Sequence, residues 1–126
     1  MANAKLRKYE LIYLVHPEAT DEERSRVAGR VSQVLEEYGA HLISNEDWGK
    51  RKLAYEIQKF NKAYYTYMVF ITKPGTTLEI ERVLRMLDSC VRFQTIKLLD
   101  GIDPDHLDRY LPEPEAPAES KEQTDA

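Results

Sequence analysis

Two stretches of apolar residues with helical spacing set the plan of this 126-residue chain. Each follows an extended hydrophobic run that ends near a proline, and each opens with Thr-x-x-Glu. In the first, Tyr9–His16 is rich in aliphatic and aromatic residues and stops at Pro17, which reads as a strand. Thr20-Asp21-Glu22-Glu23 then fits a capping box, in which hydroxyl and carboxylate satisfy helix N–H groups that lack partners. Val27, Val31, Val34, Leu35 and Tyr38 form one helical face, with Gly39 as C-cap. In the second, Tyr64–Thr72 is the strand, Pro74-Gly75 the turn, and Thr76-x-x-Glu79 the box. Ile80, Val83, Leu84 and Leu87 make its helix face.

The remaining segments are extended. His41–Ile57 reads as a broken strand in which Leu53, Tyr55 and Ile57 alternate at the far end. Val91–Leu99 is a last strand whose apolar positions are interrupted by Arg92 and Lys97. The order β-α-β-β-α-β, with two helices that must each bury a stripe, predicts an α+β ferredoxin-like βαββαβ sandwich. Its four-stranded antiparallel-type sheet would carry both helices on one face.

A sheet covered on one face should alternate apolar and polar residues. The two presumed central strands do not. The first has Tyr9, Leu11, Tyr13 and Val15 at one parity, and Ile12 and Leu14 at the other. The third has Tyr65, Tyr67, Val69 and Ile71 against Tyr64, Met68 and Phe70. The face without helices is therefore also apolar and rich in tyrosine, as a half-wet docking surface is.

Net charge divides unevenly. The total of −4 combines residues 1–100, with 16 Lys+Arg against 14 Asp+Glu, and residues 101–126, with 2 against 8. The folded domain is expected at 5–100. Residues 101–126 form an acidic, proline-containing tail, read as disordered from Pro112 onward for want of apolar residues to bury. A short helix can precede the disordered part, with Asp103 as N-cap and Pro104 at its first position. The longest apolar run, Leu11–Val15, is far too short for a membrane span. No hydrophobic block follows the N-terminal charges, so a secretory leader is not expected. A single cysteine, Cys90, excludes an internal disulfide and two-cysteine metal patterns. The cytoplasm is the expected compartment.

Catalytic chemistry finds no purchase. His16, His41 and His106 fall in unrelated elements, and no H-E-x-x-H, G-x-S-x-G, C-x-x-C or glycine-rich phosphate loop is present. No cofactor or metal is expected. Basic residues, by contrast, cluster. Lys50-Arg51-Lys52 adjoin Trp48 and Gly49, Lys5, Arg7 and Lys8 lead into the first strand, and Lys59 and Lys62 precede the third. Cations beside aromatics are what nucleic-acid contact requires: the cations displace counterions and the rings stack on bases.

Four segments carry a resemblance. Arg7–Pro17 (RKYELIYLVHP), Trp48–Lys59 (WGKRKLAYEIQK), Ala63–Tyr65 (AYY) and Leu84–Arg92 (LRMLDSCVR) are similar, in order and spacing, to the bacterial small-subunit ribosomal protein six family. The G-x-R-x-L-A-Y core, Gly49 to Tyr55, is its most specific part. The resemblance implies a non-enzymatic constituent of the small ribosomal subunit in the cytoplasm. It would pair with small-subunit ribosomal protein eighteen and bind the central domain of the small-subunit ribosomal RNA during platform assembly. By position, Arg7, Lys8, Arg51 and Arg92 match basic positions of the family's motifs, and with Lys50 and Lys52 are the candidates for RNA contact. Trp48, Leu53 and Tyr55 are the candidates for the partner-protein interface. A domain of only +2 is expected to bind RNA weakly alone and to rely on a basic partner.

Two other readings fit the element order. An RNA-recognition-motif-like binder of single-stranded RNA would use Tyr13 and Tyr67 for stacking, but K-A-Y-Y-T-Y-M-V lacks that motif's glycine and sets Thr66 where an aromatic belongs. A dimeric ferredoxin-like module would enclose a small-molecule ligand between open faces. Neither accounts for the Gly49–Tyr55 segment.

Overall fold

Strand β1 (Leu6–Val15) leads through Pro17 into helix α1 (Asp21–Glu37). A computed structural model of the chain describes residues 5–112. A long hairpin follows, β2 (His41–Ile57) and β3 (Phe60–Thr72), then helix α2 (Thr76–Met86) and strand β4 (Cys90–Ile102). The sheet order is β2-β3-β1-β4, with every neighbouring pair antiparallel. This is the ferredoxin-like arrangement, with β1 and β3 central.

The parity of the central strands decides the core. Tyr9, Leu11, Tyr13 and Val15 of β1 lie with Met68 and Phe70 of β3 on the helix side. Val27, Val31, Val34 and Leu35 of α1, and Ile80, Val83 and Leu84 of α2, close over them. Leu11, Phe70, Val27 and Ile80 are wholly inaccessible; each such side chain contributes roughly 2 kcal/mol relative to exposure.

The two helices begin differently. At α1 the expected box is complete: the Glu23 N–H donates to Thr20 Oγ1 at 3.1 Å, and the Thr20 N–H donates to Glu23 Oε1 at 2.9 Å. At the other end Tyr38 is the cap and Gly39, at φ +67°, follows it. The Gly39 and Ala40 N–H groups return to the carbonyls of Glu36 and Leu35, a Schellman closure. The expected box at α2 is absent. Gly75, at φ +101°, occupies the cap position and offers no side chain. Thr76 is thereby carried one position into the helix and buried, where its hydroxyl donates to the Lys73 carbonyl at 3.0 Å. Having spent its one proton, that hydroxyl accepts from Thr72 Oγ1 at 2.7 Å. Glu79 turns to Arg82 instead, at 2.6 Å.

Segment limits are longer than the sequence pattern suggests. β2 is one continuous strand, with bulges at Leu42/Ser44 and at Asp47/Gly49. β4 runs through Asp100 to Ile102, which is buried opposite Leu6. The short helix expected after it is a 3₁₀ segment, Pro104–Arg109, capped by Asp103, whose carboxylate accepts the Asp105 N–H at 2.9 Å. The part of the expected tail at 113–126 lies outside the described residues.

The hairpin outgrows the sheet. Pairing of β1 with β3 ends at Val15–Tyr64, but β2 and β3 continue from Lys50–Tyr64 to Ile57–Phe60. Its turn, Gln58-Lys59, has φ of 51° and 71°, the left-handed pair of a type I′ turn built without glycine or asparagine. The tip leans on β4 and on the end of β1: Gln58 Nε2 donates to the Val91 carbonyl at 3.4 Å, and His16, just after β1, stacks on Phe60 at 5.3 Å between ring centres.

Candidate functional site

The open face of the sheet takes its chemistry from alternation along β2. Gly49, at φ +77°, forms the bulge after Asp47, whose carboxylate accepts the Gly49 N–H at 2.9 Å. Trp48, beside that bulge, lies against the open face, stacked on Tyr67 at 5.1 Å and near-parallel to Tyr65 at 6.4 Å. Its indole N–H donates to Glu46 at 2.8 Å. The Arg51 guanidinium sits 5.2 Å from the indole centre and donates to the Trp48 carbonyl. Tyr67 donates to Glu10 at 3.2 Å; burial first, and then that carboxylate, hold its phenol above the ordinary tyrosine range.

Further along, Leu14, Leu53 and Ala63 form a second small core, with Ile57, Tyr65 and Val91 against it. The curled hairpin and the sheet enclose an apolar groove of about 270 Å³ over it, bordered by Ile12, Leu53, Tyr55, Ile57, Arg92 and Gln94. Arg92 reaches across to the Tyr55 hydroxyl at 3.2 Å. Tyr55 is 65% exposed, a large ring with little cover.

The residues expected to act together separate onto two faces and two ends. Trp48, Leu53 and Tyr55 do share the open face, but Leu53 is 8% exposed and forms the groove's floor. Arg51 and Arg92 lie on that same face. Lys8 is on it too, at the opposite end, paired with Ile71. Arg7 points to the helix side, where it donates to the Tyr9 hydroxyl at 3.4 Å and to Asp100 at 3.2 Å. Lys50 also faces the helices, its ammonium 5.2 Å from the Tyr64 ring centre, and Lys52 follows two residues on at the same parity. Arg24 of α1, which sequence reasoning passed over, covers the same ring at 4.1 Å. Its helical number gave no hint of that neighbour, since only tertiary packing brings α1 to β3.

Tyr13 is buried beneath the helices at 3% exposure, its phenol pushed up chiefly by burial. It cannot share a stacking surface with Tyr67, as a sheet-face reader of single-stranded RNA would require. Cys90, half-buried, has its thiol pushed up to about 11 by burial, which makes it a poor nucleophile. Among the described residues no group of three His, Cys, Asp or Glu side chains is placed to hold a metal. No helix there is long and apolar enough to cross a membrane.

The fold and this face together define a ferredoxin-like α+β protein with an aromatic, partly covered open sheet face. The sequence pattern of the family described as ribosomal protein S6 matches residues 8–97. The chain is 41% identical over 93 residues to small ribosomal subunit protein bS6 of Geotalea daltonii, covering 74% of this chain and 73% of that protein. It is 38% identical to the bS6 protein of Caldanaerobacter subterraneus subsp. tengcongensis, over 75% of this chain and all of its relative. In structure it is similar to 30S ribosomal protein S6 of Thermotoga maritima, with a TM-score of 0.69 and 34% identity over 75% of this chain and 89% of that one. The chain belongs to the ribosomal protein S6 family of the small ribosomal subunit.

Proposed function

We propose that this chain is a non-catalytic, cytoplasmic constituent of the small ribosomal subunit that binds the central domain of the small-subunit ribosomal RNA jointly with small-subunit ribosomal protein eighteen. The observation that carries this reading is the open sheet face. It presents Trp48, the Tyr55 ring and an apolar groove side by side, with Arg51 and Arg92 at their margins. Such a half-apolar surface suits a protein partner. The modest positive charge of residues 1–100, +2, suits an RNA contact that needs that partner's cations.

Mobility-shift measurements at physiological salt test the reading. The isolated chain is expected to bind central-domain RNA weakly or undetectably, and the chain with its partner to bind it clearly. Tight binding by the isolated chain, or no gain on adding the partner, contradicts joint recognition. Stoichiometric sedimentation with small subunits, with release by salt alongside one small basic protein, is the cellular counterpart.

A further inference from the structure

The protruding hairpin has two faces, and they differ in kind. Odd-numbered Arg51 and Leu53 look to the open face, where the groove lies. The even-numbered neighbours look the other way. Lys50 is opposite Tyr64 and Lys52 is opposite Lys62, with no register shift between the two pairs. The Tyr64 ring packs against the helix-side core and carries both Lys50 and Arg24 within about 5 Å of its centre. Four cations, Arg24, Lys50, Lys52 and Lys62, are thus gathered on the helix side of the hairpin base.

Among the described residues, Lys50, Lys52 and Lys62 have no ion-pair partner within 4 Å. Of the nearby acids, Asp21 is engaged by Arg24, and Asp47 accepts the Gly49 N–H. Lys52 and Lys62 stand in direct cross-strand register, where like charges are destabilising. A fold that concentrates repelling lysines on one exposed ribbon face fits an anion that relieves them. The neighbouring tyrosine serves as a cation platform for Lys50 of the ribbon and for Arg24 of α1.

We propose that this face of the hairpin is the phosphate-contacting surface: Lys50, Lys52 and Lys62, with Arg24, grip the RNA phosphodiester backbone while the opposite face of the same ribbon serves the protein partner. The inference rests on the joint-recognition reading above and adds a division of labour to it. It removes Arg51 and Arg92 from the main RNA contact and brings in Lys62 and Arg24.

The test uses the full chain with small-subunit protein eighteen on central-domain RNA, titrated between 50 and 200 mM salt. The variant K50Q/K52Q/K62Q is compared with R51Q/R92Q. Each lost phosphate contact lowers the slope of log affinity against log salt by about 0.7. The triple variant is therefore expected to lose roughly two units of slope, so that its affinity falls about 20-fold less than the wild type's across that range. Its thermal midpoint should hold or rise as the cross-strand repulsion disappears, and K50R/K52R/K62R should restore the slope. An unchanged slope in K50Q/K52Q/K62Q, or a slope lost only in R51Q/R92Q, overturns the assignment while leaving joint recognition intact. A triple variant that loses the protein partner rather than the RNA also overturns it. A wild-type pair that fails to bind the RNA at all removes both readings.

Discussion

The helix-covered face of the sheet and its open face are built from the same two central strands, yet they bury their apolar residues to different ends. On the covered side, Tyr9, Leu11 and Tyr13 meet Met68 and Phe70 under two helices, and nearly every ring is inaccessible. On the open side, alternate residues of the same strands, Ile12, Leu14, Tyr65 and Tyr67, meet the curled hairpin, the indole of Trp48 and the side chains of β4, with no helix over them. One face is closed by elements the chain itself supplies. The other is closed in part, and what it leaves uncovered is aromatic and edged with guanidinium. Burial is completed within the fold on the covered face, whereas the open face keeps the Tyr55 ring exposed.

That contrast can be broken by substitution. The largest effect is expected on the covered side, where F70A should lower the free energy of unfolding by about 3–5 kcal/mol; urea denaturation gives the value. L53A, on the floor of the groove, should cost about 2 kcal/mol, because an open site relaxes more readily than a closed one. It should also weaken binding of the protein partner, and a loss as large as that of F70A would show that the open side is core of the same kind. T20A removes the complete capping box of α1 and should cost about 1 kcal/mol without altering partner or RNA binding. Y55A should change stability by no more than about 0.5 kcal/mol, yet weaken partner binding at least tenfold in calorimetry. Retained partner binding in Y55A would strip the open face of its assigned role.

Acid provides the mildest probe. The Lys97 ammonium, then the Gly101 N–H and Arg7, hold the Asp100 carboxyl below the usual range. The Asp105 N–H does the same for Asp103, with Lys5 and His106 assisting. A depressed folded-state value means that the stabilisation is fully present above about pH 4 and fades as the pH falls through the folded value. Hydrogen-exchange protection of the Gly101 and Asp105 amides should therefore drop below about pH 4 while the amides of Leu11 and Phe70 stay protected. Simultaneous loss at all four sites would mean that the C-terminal end is not a separable unit.

The alternation of Tyr9–Val15 and Tyr64–Ile71 made the sheet and its two apolar faces legible, because the period of two is set by strand geometry alone. The capping box at Thr20 was equally plain. Its twin at Thr76 misled, since the same four-residue pattern follows a left-handed Gly75 that takes the cap position. β2 looked broken for a similar reason. The bulge at Asp47/Gly49 and the turn at Gln58-Lys59 depend on positive φ, but only Gly49 signals it in sequence. Trp48, Leu53 and Tyr55 could be assembled by alternation near a recognisable motif. The pairing of Arg24 with Lys50 across Tyr64 could not, because it is made by α1 folding back onto a strand some forty residues away.

The sheet order has a bearing on how the chain is made. β1 is synthesised first but lies between β3 and β4, the third and last strands. Until Phe60–Thr72 arrives, a strand that is apolar on both faces has both backbone edges unpaired. One edge then stays open until Cys90–Ile102 has emerged. An open apolar edge is a template for pairing with other chains, so the nascent protein is most vulnerable to misassociation throughout its own translation. Completion of β4 pairs that second edge of β1, and leaves β2 and β4 as the margins of the finished sheet.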